Sequence, residues 1–285
     1  MPYPYPLPAS APPPDPPERP EGVSPWPRWP AWFAPVGFIG GLVVAALLVV
    51  PLSLAATALG LEESPGFILG GQVIFYAGLI ASGVFLASRI VRPRLWHFGL
   101  RRTRFWPAVG WAALTMFGYY VFVGIYSAIV DAEGDQTVVE DLGADKGTVA
   151  LVVGAVVVVV LAPVAEEVFF RGFFYRALRT RMRWWWAALI AGAVFGSIHF
   201  TGVDTLPLLP VLAALGVGFC LLYERTGSLY PCIALHAFNN TLAYSIETSE
   251  YGGVAAAVPL GLAVMAACAV VPRYLGRRAP AIARA

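Results

Sequence analysis

Glu166-Glu167-Val168-Phe169-Phe170-Arg171 sets two adjacent carboxylates and a guanidinium inside an apolar stretch, and His199 and His236 lie in further apolar stretches. Ionisable groups are costly in such surroundings and mark function by default. Glu167 and Arg171 are four residues apart and share a helical face, so the arginine can neutralise one carboxylate. Glu166 is turned roughly 100° from Glu167 and has no charge partner in its own helix. Burial penalises its ionised form, the condition under which a carboxylate serves as a general base. Pro163, three residues earlier, could loosen the helix and admit water. Two more segments add Phe195-Gly196-Ser197-Ile198-His199 and His236-Ala237-Phe238-Asn239-Asn240, with Asn240 one turn beyond His236.

The elements that position these groups must be built for lipid. The chain is 58% apolar and 13% charged, with a mean hydropathy of +0.70, far from the roughly 25% charge of a soluble domain. The fold class expected is all-α, a polytopic transmembrane bundle. Apolar runs that could cross a hydrocarbon slab, which takes about 20 residues, occupy 32–60, 66–91, 106–130, 148–175, 184–203, 205–223, 229–247 and 253–272, giving eight helices. Residues 1–30 hold 13 of the 25 prolines and read as a disordered tail without a secretory signal. Residues 31–275 form the membrane domain, and 276–285 a short basic tail. Cys220, Cys232 and Cys268 fall in or beside apolar runs and read as core residues, with no disulfide expected. A net charge of +2 gives no reason to expect nucleic acid as a partner.

Charge alternates between the loops. The second connection carries Arg89, Arg92, Arg94, Arg101, Arg102 and Arg104; the third carries Asp131, Glu133, Asp135, Glu140, Asp141 and Asp145; the fourth carries Arg176, Arg179, Arg181 and Arg183. Under the positive-inside rule both termini and the arginine loops are cytoplasmic. The expected location is a bacterial plasma membrane, the origin suggested by 18 arginines to one lysine. Trp184, Trp185 and Trp186 follow the fourth loop as an interfacial belt should. The fourth and fifth helices make a hairpin, and a turn centred between Met182 and Arg183 would put Glu166 and His199 level. His236 follows Pro231 by five residues, so the site should open towards the cytoplasmic half.

Glu-Glu-x-x-x-Arg, then Phe-x-x-x-His, then His-x-x-x-Asn, with Glu-Arg-Thr-Gly-Ser-Leu-Tyr-Pro at 224–231, resembles the motif set of the CAAX protease and bacteriocin-processing (CPBP, Abi) family of intramembrane proteases, which includes the type II CAAX prenyl endopeptidases. The resemblance covers about residues 95–245. It implies a peptide hydrolase acting on membrane-associated or prenylated substrates. By it, Glu166 and His199 position and deprotonate water, His236 and Asn240 stabilise the oxyanion, and Glu167 and Arg171 hold the arrangement, with Phe195 in support.

Zinc is a competing account, because Glu166, His199 and His236 form a familiar catalytic ligand set; the usual His-Glu-x-x-His helix is absent, and metal-independent chemistry is slightly favoured. Plainer readings exist for each residue: a structural ion pair for Glu167 and Arg171, packing for the histidines, and interhelical hydrogen bonding for Asn240. A proton-coupled transporter would show repeat symmetry, which is not evident. A catalytically silent immunity or scaffold protein of the same fold is the stronger alternative.

Overall fold

The computed structural model describes residues 27–61, 64–130 and 146–275. The expected acidic loop at 131–145, Glu62 and Glu63, residues 1–26 of the proline-rich tail and the basic tail at 276–285 lie outside the described residues. Within them the chain is all-α, and its eight principal helices follow the eight apolar runs: α1 Phe33–Leu59, α2 Pro65–Ser88, α3 Phe105–Ile129, α4 Thr148–Leu178, α5 Trp184–Ser197, α6 Leu209–Thr226, α7 Leu229–Glu247 and α8 Gly253–Leu275.

Six helical stretches are long and apolar enough to cross a membrane; α5 and α7 are not among them. The expected fifth run, 184–203, is thus corrected. Its helix stops at Ser197; further on, Gly202 adopts a fully extended conformation (φ 175°) and precedes a tight turn, Val203–Leu208, that leads into α6. His199 therefore lies just beyond α5 and not on it. The loop satisfies its own backbone: the Thr201 amide donates to Thr205 Oγ1 at 3.3 Å, the Thr205 hydroxyl donates to the Gly202 carbonyl at 2.7 Å, and Tyr126 caps the Pro207 carbonyl at 2.8 Å. Such internal closure is what irregular backbone at membrane depth requires.

α4 is the central post. Half of its most apolar window is buried, against 11–33% for the other five long helices. It is also irregular, with wide π-helical turns over Val156–Leu161 and Glu167–Tyr175. Wide turns of this kind recur at functional sites. The first ends at Leu161, two residues before Pro163, which has no amide proton to offer the turn before it.

α5 packs against α6 through glycine. A Cβ on Gly192 would meet the Ala213 carbonyl at 2.6 Å, and one on Gly196 would meet the Leu209 carbonyl at 2.7 Å. The Gly192-x-x-x-Gly196 spacing puts both on one face, the small-residue contact that lets apolar helices approach closely. That approach sets the position of Phe195 between them.

The basic loops meet at one end of the bundle. Arg101 donates from Nε to the Gly227 carbonyl at 2.6 Å, Thr103 to the Thr226 carbonyl at 2.9 Å, and buried Arg176 to the His97 carbonyl. Gly227, at φ +62°, makes the left-handed turn between α6 and α7 that presents this carbonyl. Trp29 joins the same end. It falls inside the stretch expected as a tail, yet it is 1% exposed, packed at a tilt against Phe98 and Phe173 and covered by the Arg176 guanidinium at 5.1 Å.

Candidate functional site

Glu166 and Glu167 both leave α4 towards the bundle interior, where they are 4% and 0% exposed. Their partners differ, and the difference divides their roles. Glu167 Oε1 accepts from Arg171 Nη1 at 2.8 Å and from His236 Nδ1 at 2.9 Å. Arg171 also donates to the Gly216 carbonyl at 3.0 Å and stacks over Phe195 and Phe219 at 4.5 and 5.0 Å. A guanidinium so placed is locked, and it makes Glu167 an anchor.

Glu166 Oε1 accepts from Tyr76 of α2 at 2.8 Å. Its second oxygen faces His236 Nε2 at 3.8 Å, beyond hydrogen-bond length. His236 thus bridges the two acids, with Nδ1 donating to the anchored carboxylate and Nε2 turned to the other. A histidine orientated through one nitrogen by a carboxylate is held in a defined tautomer with the other nitrogen available. Phe219 stacks on its ring at 4.8 Å and Phe195 meets it edge-on at 5.9 Å.

The remaining expected residues stand further out. His199, half-buried, points Nδ1 at the Phe195 carbonyl at 2.9 Å. A carbonyl only accepts, so Nδ1 carries the proton, and Nε2 of the neutral ring is left as an acceptor. His199 and Glu166 are not hydrogen-bonded to each other; both histidine rings instead contact Phe195. Asn240 donates from Nδ2 to the Val158 carbonyl at 2.9 Å. The reason lies in α4: the Ala162 amide reaches back to Val157, and Pro163 has no proton to offer, so the Val158 carbonyl lacks its helical donor and Asn240 replaces it.

A tetrahedral zinc needs three protein ligands converging near 2.0–2.2 Å from one point. Among the described residues no three His, Cys, Asp or Glu side chains gather in that way. Glu166 and His236 face each other, but His199 does not close the set. The arrangement does not fit a three-ligand zinc centre.

Sequence reasoning misses Tyr76. It lies on a helix outside the motif-bearing region, 90 residues from Glu166, and one tyrosine in an apolar run gives no local signal. It also misses that α4 changes its pitch around the carboxylates.

One comparison covers this constellation. Residues 148–242 match the model of the type II CAAX prenyl endopeptidase Rce1-like family. The Rce1-like segment begins with α4 and ends in α7, and so holds every expected site residue but leaves Tyr76 outside. Within it the resemblance read from the motifs holds. The chain is also similar to two proteins of Bacillus subtilis (strain 168). "Putative membrane peptidase YdiL" is 32% identical over 88 residues, 31% of this chain and 34% of that one. "Uncharacterized protein YyaK" is 28% identical over 182 residues, 60% of each chain. The chain thus spans about a third and three-fifths of these relatives. No solved structure matches it significantly.

Proposed function

We propose that the chain is an intramembrane endopeptidase in which Glu166 is the general base and the two histidines frame the reacting water and carbonyl. The observation that carries this reading is the division of labour between the two acids. Glu167 holds both Arg171 and His236 on Oε1 and keeps Oε2 buried without a partner among the described residues, whereas Glu166 is steadied at Oε1 by Tyr76 and turns Oε2 towards His236.

In the proposed step, Glu166 takes one proton from a water whose oxygen bonds to the carbonyl carbon of the scissile peptide. His199 Nε2 accepts the water's other hydrogen bond. His236 donates from Nε2 to the oxyanion while Nδ1 stays bonded to Glu167, a contact typically worth 10²–10³ in rate. Glu166 then passes its proton to the leaving nitrogen as the C–N bond breaks. Asn240 keeps α4 in register through the Val158 carbonyl. The Rce1-like match and the peptidase name of one relative favour membrane-associated substrates, prenylated CAAX-like chains among them. Placement in a bacterial plasma membrane rests on the arginine-rich composition and the apolar helices, and the positive-inside rule puts the arginine end and both termini on the cytoplasmic side.

The test is quantitative mass spectrometry of new peptide termini in membranes of a null strain complemented with wild type or Glu166→Gln at matched expression. Termini found only with wild type support the reading and name the substrate. Identical profiles across growth conditions would move the assignment to a silent immunity or scaffold role.

A further inference from the structure

The turn between α4 and α5 brings Arg179, Arg181 and Arg183 to the arginine end of the bundle, the last turn of α6 brings Glu224 and Arg225, and α3 brings Trp111. These residues line a cavity of about 900 Å³ that shares no wall with Glu166 or His236. Four guanidinium groups and one carboxylate therefore share the wall, and that carboxylate is spoken for. Arg179 donates to both Glu224 oxygens, at 2.7 and 3.1 Å, and Tyr175 adds a third bond at 2.8 Å.

Arg181, Arg183 and Arg225 remain, all exposed, and no carboxylate among the described residues pairs with them. Arg225 lies over the Trp111 ring at 4.6 Å and Arg183 over Trp185 at 6.0 Å. Stacking occupies the face of a guanidinium and leaves its in-plane N–H donors for a ligand. Planar donor forks of this kind match phosphate oxygens two at a time. Thr180 adds one hydroxyl to the wall, the rest of it, Met182, Trp184 and Leu221, is apolar, and Trp184 starts the tryptophan run where a bilayer interface belongs.

We infer that this cavity binds the phosphate headgroup of an anionic phospholipid from the leaflet at the arginine end. A soluble anion would be served by the arginines alone. The apolar wall and the interfacial tryptophans suit a phosphate that arrives attached to acyl chains, and basic pockets between helices at this depth are where such headgroups settle. The inference is independent of the peptidase reading.

The test is native mass spectrometry of the purified full-length protein in neutral detergent, titrated with short-chain phosphatidylglycerol, short-chain phosphatidylcholine or inorganic phosphate. Wild type should retain one phosphatidylglycerol and no phosphatidylcholine. The Arg181→Gln/Arg183→Gln/Arg225→Gln variant should bind phosphatidylglycerol roughly 100-fold more weakly, at about fivefold per arginine. A variant with Arg92, Arg94 and Arg104 changed to Gln, equal in charge but away from the cavity, should bind as wild type does. Equal losses in the two variants, or equal retention of phosphatidylcholine, would overturn the inference. Arginine-dependent binding of inorganic phosphate without retention of phosphatidylglycerol would overturn the lipid assignment. The exposed positions of the three cavity arginines leave the melting temperature near that of wild type, which separates a lost site from a lost fold.

Discussion

Tyr76 donates its phenolic proton to Oε1 of Glu166 at 2.8 Å, joining α2 to the middle of α4 across 90 residues of sequence. A hydrogen bond to a charged acceptor is worth about 1.5–3 kcal/mol, and this one fixes which oxygen of Glu166 is free. On the proposed reading Tyr76 is a positioning residue. Tyr76→Phe should lower kcat by roughly 10- to 100-fold with KM little changed, since it removes no contact that a substrate would make. A change confined to KM would argue against this role.

Glu166→Gln keeps the shape of the side chain and an oxygen for Tyr76 to bond, but it removes the base. Turnover should fall by at least about 10²–10⁴, the range of a lost proton-transfer group, while the thermal unfolding midpoint in detergent stays within a few degrees of wild type. Unaltered peptide-bond hydrolysis by this variant would exclude Glu166 as the base.

Arg171 is fully buried, and its removal strands Glu167 without its cationic partner. Arg171→Leu should destabilise the fold by about 3–5 kcal/mol, the cost of breaking a buried pair on one side. Arg171→Lys should recover part of that, because it restores the charge but not the flat group stacked on Phe195 or the bond to the Gly216 carbonyl. Denaturant titration in mixed micelles would rank the three proteins.

Asn240→Ala leaves the Val158 carbonyl with no donor where α4 is already widened. The expected loss is about 1–3 kcal/mol, the penalty for an unsatisfied buried polar group. A variant with normal stability but a 10²–10³ lower kcat would instead place Asn240 at the oxyanion. Stability and rate therefore have to be measured on the same preparation.

Elemental analysis of the purified protein should find zinc well below one ion per chain. One tightly held zinc per chain that disappears in His199→Ala would mean that His199 swings in to complete a ligand set with Glu166 and His236.

Much of the architecture is legible in the amino-acid sequence. Eight apolar runs become eight helices because long apolar periods admit little else, and the Glu167–Arg171 pairing follows from helical geometry alone. The unequal roles of the two acids are legible only in part, because their other partners, Tyr76 and His236, come from α2 and α7. The end of α5 is hidden because Ser197–Phe200 continues the apolar run of the helix before it, and only packing against α6 shows where the helix stops. Trp29 is masked by the prolines around it: composition describes the company of a residue, and a single large ring can dock on a core regardless. The job of Asn240 depends on the pitch of α4, which no residue type announces.

The shortness of α5 has a consequence for the bilayer itself. Fourteen residues advance about 21 Å at 1.5 Å each, some 9 Å less than a hydrocarbon core of about 30 Å. Lipid beside α5 and the loop after it must thin, or leave a hydrated notch that reaches Thr201 and His199. A peptide segment at that notch meets water part-way through the membrane without first being pulled clear of it. On the proposed reading His199 would stand at an aqueous boundary drawn inwards, and the thickness of the surrounding bilayer would become a variable of the reaction.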